Sequence, residues 1–217
     1  MAKTYPQKKF QPPSGHCDIL LIRHGASEPA VEGQSFAMKD GQGDPALAPD
    51  GEAQAEAVAR RLRDEPIEAI YVTTLRRTHQ TAAPLAAALA MTPRVEPRLR
   101  EIHLGAWDGG HYRAMAHAGH PLYRQAMETG EWGHIPGAET TGALRARVEA
   151  GLVDIAARHP DQMVAVFAHG GSIGAALEII TQARPFSMIG SANGAISRVV
   201  MQGDHRIFRG FNDCAHL

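Results

Sequence analysis

The chain has 217 residues, and its 22 lysines and arginines nearly balance 23 aspartates and glutamates, so the formal net charge is -1. This balance excludes the broad basic surface of a nucleic-acid-binding protein; we predict no nucleic-acid partner and expect any anion site to be a local cluster. No stretch reaches the roughly 20 apolar residues of a membrane helix, and the two cysteines argue against a disulfide framework. We therefore expect a cytoplasmic protein that does not contact membranes.

Residues 1–16 form the first predicted segment. They contain prolines and lysines and lack the apolar core of a signal peptide. We predict a flexible N-terminal tail, followed by a single domain over residues 17–217. A domain of that length can bury a substantial core.

The first predicted strand carries the apolar run 19–22 and ends in Arg23, His24 and Gly25. Consecutive apolar residues without alternation are typical of a strand covered on both faces, as in a parallel sheet between helices. Ligands bind at the carboxyl ends of such strands. Gly25 permits a close approach of the backbone to a ligand, and Ser27 adds a hydroxyl nearby.

Residues 28–50 follow, rich in Gly, Pro and Asp and without a period, which predicts a long loop over the sheet edge. We expect Asp50 to cap the next helix. Its apolar stripe has helical spacing and comprises Ala55, Val58, Ala59 and Leu62. A second apolar strand follows at residues 69–72, so the order of elements predicts a parallel α/β sheet.

The segment 73–82 opens a helix directly after the second strand, with Thr73 or Thr74 as the expected N-cap. Arg76 and Arg77 lie in its first turn, where positive charge opposes the helix dipole unless an anion or a carboxylate compensates it. This local conflict favours a functional role.

Residues 107–135 are predicted to form an excursion of two short helices that mixes aromatic and polar side chains, as a lid or pocket wall would. A long helix and a strand at residues 163–168 follow, and this strand ends in His169 and Gly170. Ser172 is the expected cap of the next helix. A final hairpin would leave an edge strand open to pairing with a second copy, so a homodimer is one expectation while the oligomeric state stays open.

The strand ends thus offer Arg23, His24, Arg77 and His169, with Glu101 on a loop that could face them. An arginine guanidinium matches phosphate oxygens with two parallel hydrogen bonds. A neutral imidazole is a nucleophile near pH 7, and a carboxyl group can supply a proton to a leaving oxygen. These residue types predict phosphoryl transfer through a phosphohistidine.

Four segments in this order resemble the signature segments of the histidine phosphatase superfamily, which includes the cofactor-dependent phosphoglycerate mutases. They are RHG at 23–25, LRRTHQTA at 75–82, LREIHLG at 99–105 and AHG at 168–170. The resemblance extends from Cys17 to the C-terminal strands. It implies a three-layer α/β/α sandwich with a mostly parallel sheet and a small helical excursion over the active site.

The resemblance also implies roles for single residues. His24 would become phosphorylated, Arg23, Arg77 and His169 would hold the phosphoryl group, and Glu101 would act as acid and then as base. The family pattern places the catalytic role on Arg77 and leaves Arg76 as a solvated or ion-paired neighbour.

Ser27 and His103 are candidate substrate contacts, and Arg113 and Arg124 are expected on solvated helix faces, although either could meet a substrate anion. The histidines of the excursion match no familiar zinc spacing, and the chemistry needs no metal or other cofactor.

The segment between Glu101 and Pro136 is shorter than in typical phosphoglycerate mutases. We therefore expect a phosphatase acting on a small phosphomonoester. A mutase that uses the same phosphoenzyme is the alternative, and a non-catalytic phosphate-binding module is a further one.

Overall fold

The computed structural model describes residues 3–217, and its main element is a six-stranded mixed sheet. The strands of the chain are β1 (Cys17–Arg23), β2 (Met38–Lys39), β3 (Gln42–Gly43), β4 (Ile67–Val72), β5 (Arg94–Val95), β6 (Met163–Ala168), β7 (Ile196–Gln202) and β8 (His205–Asp213). The sheet has the order β5-β4-β6-β1-β7-β8. Strands β5, β4, β6 and β1 run parallel, and β7 and β8 are antiparallel additions.

Helices cover both faces of this sheet. They are α1 (Pro49–Leu62), α2 (Arg76–Ala88), α3 (His111–His117), α4 (Pro121–Thr129), α5 (Thr141–Arg158) and α6 (Gly170–Thr181). Alternate residues of β1 belong to different cores, since Ile19 and Leu21 pack with α5 and α6, whereas Leu20 and Ile22 pack with α1 and α2. The predicted three-layer α/β/α sandwich with a mostly parallel sheet is confirmed.

The pairing of β1 with β6 positions the two histidines of the signature segments. In this parallel pair Arg23 lies opposite Ala168. The next residues, His24 and His169, are therefore neighbours at the same edge, and their ring centroids are 5.1 Å apart. This separation is close to the distance between adjacent strands, about 4.8 Å.

Two predicted helix caps are wrong, because the N-caps of α1 and α2 are Ala48 and Leu75 rather than Asp50 and Thr73 or Thr74. Ser172 does cap α6, although from its third position, because its hydroxyl accepts a hydrogen bond from the amide of the N-cap residue His169 at 3.2 Å. Pro49 occupies the first turn of α1, where its fixed φ suits the helix and the missing N–H is not needed. The Thr73 hydroxyl instead lies 2.9 Å from Nε2 of His169.

The predicted loop 28–50 contains a small hairpin, β2–β3, that is separate from the main sheet. The excursion holds two short helices, α3 and α4, as expected, and its Trp107 and Trp132 are buried in the core that α5 and α6 share. The first two residues of the predicted tail lie outside the described part, and residues 3–14 are exposed. Within residues 3–217 we find no helix of the length and apolarity needed to cross a bilayer.

Candidate active site

A cavity of about 450 Å³ opens where β1, β4 and β6 end. It is lined by five of the seven predicted site residues, Arg23, His24, Ser27, Arg77 and Glu101. His169 is fully buried beside His24. The excursion also lines the cavity, with aromatic side chains such as Trp107 and Tyr112. Cationic and aromatic side chains thus line the same cavity.

The His24 side chain has a defined tautomer. Its Nδ1 lies 2.7 Å from the carbonyl oxygen of Gly25 and can only donate to it, so Nε2 carries no proton. Nε2 in turn accepts a hydrogen bond from Nε of Arg77 at 3.2 Å. Burial and the positive charges of Arg77 and Arg23 hold the pKa of His24 well below its usual value. His24 is therefore a neutral imidazole with a lone pair on Nε2.

His169 is held by the residue that follows β4, the strand beside β6. Its Nε2 lies 2.9 Å from Oγ1 of Thr73, while its Nδ1 is buried and has no hydrogen-bond partner in residues 3–217. Burial and the nearby Arg77 lower the pKa of His169 well below its usual value. With Nε2 accepting from the Thr73 hydroxyl, a proton on Nδ1 would be free for a ligand oxygen.

The two arginines are anchored by backbone carbonyls rather than by carboxylates. Nη1 of Arg23 donates to the carbonyl of Ser191, and Nη1 of Arg77 donates to that of Gly43 at 3.0 Å. Burial lowers the pKa of Arg23 and lowers that of Arg77 to about 10. Neither guanidinium forms an ion pair in the described chain, and Nε of Arg23 is buried without a partner. Arg77 is buried and Arg23 is partly buried, and a pair of cations that is desolvated in this way and forms no salt bridge within residues 3–217 favours an anionic ligand.

Glu101 lies at the N-terminus of α6. Its Oε1 accepts hydrogen bonds from the amides of Gly171 at 3.0 Å and Ile102 at 2.9 Å. The space beside Gly171 is occupied by this carboxylate, because a Cβ built on Gly171 would lie 2.4 Å from Oε1. The carboxyl group is thus fixed at the edge of a cavity that also holds the neutral histidine.

The family model that describes the histidine phosphatase superfamily, branch 1, matches residues 19–214 of the chain. The chain belongs to the histidine phosphatase superfamily. The resemblance seen in the four sequence segments is therefore confirmed.

Relatives with different names are found within this superfamily. The chain is 27% identical over 200 residues to putative phosphoserine phosphatase 2 of Hydrogenobacter thermophilus, which covers 91% of this chain and 96% of the relative. It is 31% identical over 162 residues to a probable phosphoglycerate mutase of Enterobacter sp., covering 75% and 74%. A solved mycobacterial glucosyl-3-phosphoglycerate phosphatase superposes with a TM-score of 0.74 at 25% identity, covering 90% and 98%.

Three side chains that the sequence analysis did not single out hold the backbone of this histidine phosphatase site. Nε2 of Gln42 donates to the carbonyls of Glu101 at 2.7 Å and of Ile102 at 3.0 Å. Arg147 donates to the carbonyl of Glu101 at 2.9 Å and is ion-paired with Glu139. Nδ2 of Asn193 donates to the carbonyl of His24 at 2.9 Å. All three bind backbone, so residue type and spacing alone gave no signal of their role.

Arg76 has a carboxylate partner. Oδ1 of Asp44 accepts from the amide of Arg76 at 2.8 Å, and Oδ2 accepts from its Nε at 3.2 Å. Arg76 is thus the ion-paired neighbour that the family pattern implies. The unfavourable charge at the start of α2 is offset locally, which leaves Arg77 for the cavity.

The two candidate substrate contacts occupy different places. Oγ of Ser27 lines the cavity and accepts a hydrogen bond from Arg113 at 2.8 Å; Arg113 is exposed at the mouth and also lines the cavity. His103 lies outside that lining, in a neighbouring cleft that shares Gln42 and Glu101, and 42% of its side chain is exposed. A contact of His103 with substrate stays a prediction for ligands that extend into this cleft.

No cluster of metal ligands occurs in the part of the chain that the structure describes. Among residues 3–217, no group of three or more His, Cys, Asp or Glu side chains is arranged to hold a metal ion.

Proposed function

We propose that the chain hydrolyses small phosphomonoesters through a phosphohistidine on His24. The observation that carries this proposal is the neutral, buried imidazole of His24, whose Nε2 lone pair lies beside two arginines without carboxylate partners. Similarity to relatives named as phosphatases supports the same reaction. A cytoplasmic location and the absence of a cofactor stay predictions.

In the first step, Nε2 of His24 attacks phosphorus and the bond from phosphorus to the ester oxygen breaks. Glu101, as a carboxylic acid, gives its proton to the departing oxygen. Arg23, Arg77 and His169 donate hydrogen bonds to the phosphoryl oxygens. The hydrogen bond from Nδ1 of His24 to a carbonyl stabilises the positive charge that the ring gains.

In the second step, Glu101 as a carboxylate takes a proton from water, and this water attacks the phosphorus of phospho-His24. The bond from phosphorus to Nε2 breaks, and the neutral imidazole returns. Inorganic phosphate leaves, and Glu101 is again protonated. No metal ion enters either step, so we expect turnover to survive a chelator such as EDTA.

The second candidate function is a phosphoglycerate mutase, which the identity to a probable mutase favours. Both reactions share the phosphoenzyme. They differ in its fate, because a mutase returns the phosphoryl group to a bound substrate before water reacts. Dependence on a bisphosphorylated primer would identify the mutase.

The deciding experiment is mass spectrometry of the protein quenched in base during turnover of p-nitrophenyl phosphate. We expect a phosphate adduct on His24 that decays into water, no adduct in His24→Ala, and an unchanged adduct in His117→Ala, an exposed histidine of α3. Turnover without an adduct would contradict the nucleophile. An adduct that is stable in water but discharged by 3-phosphoglycerate would favour the mutase. Failure to form an adduct with any phosphomonoester would favour the binding module.

A further inference from the structure

The hairpin β2–β3 is bound tightly to the segment that carries Glu101. Its two-residue turn consists of Asp40 and Gly41, whose φ values of 49° and 79° suit the twist of such hairpins. Arg100 holds this turn, because its Nη2 donates to the carbonyl of Lys39 at 3.3 Å and to that of Asp40 at 3.2 Å. The hairpin and the chain immediately before Glu101 therefore form one connected unit.

Gln42 completes this unit from inside. Its side chain is 3% exposed and lines the cavity. Nε2 donates to the carbonyls of both Glu101 and Ile102, and Oε1 accepts from Nε of Arg100 at 2.7 Å. One buried side-chain amide thus binds two consecutive backbone carbonyls, that of Glu101 and that of the next residue.

The hydrogen-bonding capacity of Gln42 indicates what it does. A glutamine amide has two N–H groups, and here both have backbone acceptors, while its oxygen is occupied by Arg100. A group whose donors are all used by the protein has none left for a ligand. We propose that Gln42 is a positioning residue, which fixes the carboxyl group of Glu101 relative to the reacting phosphoryl group and does not bind that group itself.

The same hairpin also contacts Arg77, one of the two arginines proposed to bind the phosphoryl group. The residue after Gln42 is Gly43, and its carbonyl accepts from Nη1 of Arg77 at 3.0 Å. Of the two adjacent residues of β3, Gln42 therefore holds the backbone at Glu101, and Gly43 holds Arg77. Proton transfer in the transition state requires a fixed distance between the acid, Glu101, and the arginine that binds the phosphoryl group.

The test rests on the proposed function, because it reads out the proton that Glu101 supplies. Gln42→Met keeps the length of the side chain and removes its hydrogen bonds. An alkyl phosphate needs a proton on its poor leaving group, whereas p-nitrophenolate leaves without one. The ratio kcat/KM covers the steps up to the phosphoenzyme, so its dependence on the leaving group measures the acid.

We expect Gln42→Met to lower kcat/KM for an alkyl phosphate by about 10- to 100-fold. With p-nitrophenyl phosphate kcat/KM should change less than about threefold, since no acid is needed in that step. Hydrolysis of the phosphoenzyme still needs Glu101 as the base toward water, so a misplaced Glu101 should slow this second step. The variant should therefore release p-nitrophenol in a burst and accumulate phospho-His24.

The outcomes separate this proposal from the proposed function. An equal loss of kcat/KM with both substrates would mean that Gln42 acts on the phosphate site, and no loss with either would mean that it does not position Glu101; both would overturn the proposal. If the wild-type protein forms no phosphoenzyme, the proposed function fails instead.

Two further variants guard against loss of folding. Gln42→Glu keeps the bond from Arg100 and replaces both donors by acceptors, so it should show the same dependence on the leaving group. Gln80→Met is the matched control, because Gln80 lies outside the cavity and accepts a hydrogen bond from the amide of Leu47 at 3.0 Å. It should leave the ratio of the two kcat/KM values unchanged, and a shift in that ratio would overturn the proposal.

Discussion

Gly171 gives the sharpest prediction for the candidate acid. In Gly171→Ala the new Cβ would lie 2.4 Å from Oε1 of Glu101, whereas real Cβ atoms essentially never come closer than 3.0 Å. Oε1 must therefore retreat by at least about 0.6 Å, a lower limit set by the difference between those two distances. The displaced atom is the end of a flexible side chain, so the fold can accommodate the methyl group while the acid loses its position.

Gly171→Ala should change the activity far more than the stability. Alanine is favoured over glycine in a helix by up to about 1 kcal/mol, so the free energy of unfolding should stay within about 1 kcal/mol of the wild type. A misplacement of about 1 Å in a catalytic group can cost about 100-fold. We therefore expect kcat/KM for an alkyl phosphate to fall by about 10- to 100-fold, measured by release of inorganic phosphate.

Gly142→Ala is the control, because a Cβ at this position of α5 meets nothing within 4 Å. It should retain full activity in the same assay and be no less stable. If Gly171→Ala also retains full activity with alkyl phosphates, the carboxyl group of Glu101 does not act from the position seen here. If it unfolds, the displaced side chain is not as free to move as the structure indicates.

Three further predictions concern protons in the site. Glu101→Gln should lower kcat/KM for alkyl phosphates by about 10²- to 10⁴-fold and far less for p-nitrophenyl phosphate, in the same phosphate-release and absorbance assays. The ring of His24 should stay neutral near pH 6, with its proton on Nδ1, in a ¹⁵N NMR titration. Because the pKa values of His24 and His169 are lowered by folding, the unfolding free energy measured in urea should fall as pH drops below about 6.5, by up to about 1.4 kcal/mol per pH unit for each.

Each of these has a contradicting result. Equal losses with both esters in Glu101→Gln would remove the acid role. A His24 ring that gains a proton near its ordinary pKa would show that the cations and burial around it do not control it. An unfolding free energy that is flat between about pH 5 and 6.5, or that is equally sensitive to pH in a His24→Asn and His169→Asn double variant, would contradict the linkage argument.

The elements that carry the candidate site residues were predictable because buried parallel strands have a strong signal in the sequence. The apolar run of β1 ends in Arg23 and His24, that of β6 ends in His169, and neighbouring parallel strands end at one edge. Pairing brings these side chains together whatever the loops do. The capping role of Ser172 was predictable from residue type, whereas the N-cap of α2 was not, because Thr73 has the residue type of a cap but its hydroxyl bonds to His169.

The supporting contacts depend on tertiary placement, so residue type did not reveal them. Asp40 and Gly41 form a strong hairpin signal inside a segment that has no other period, and this pair could have predicted β2–β3. The role of Gln42 could not be predicted, since its partners are backbone carbonyls about 60 residues away. His103 shows that closeness in sequence does not ensure a place in the cavity, because this residue is two positions from Glu101 and yet lines only the neighbouring cleft.

The parallel pairing of β1 and β6 has a consequence for how this protein can change. The separation of His24 and His169 is set by main-chain hydrogen bonds, so any substitution in either core that keeps the strands paired keeps their spacing. Exposed residues of α3 and α4 can vary without disturbing that ladder, whereas Trp107 and Trp132 of the excursion are buried in the core that α5 and α6 share. Selection can thus alter exposed side chains around the cavity while the spacing of the two histidines is inherited unchanged.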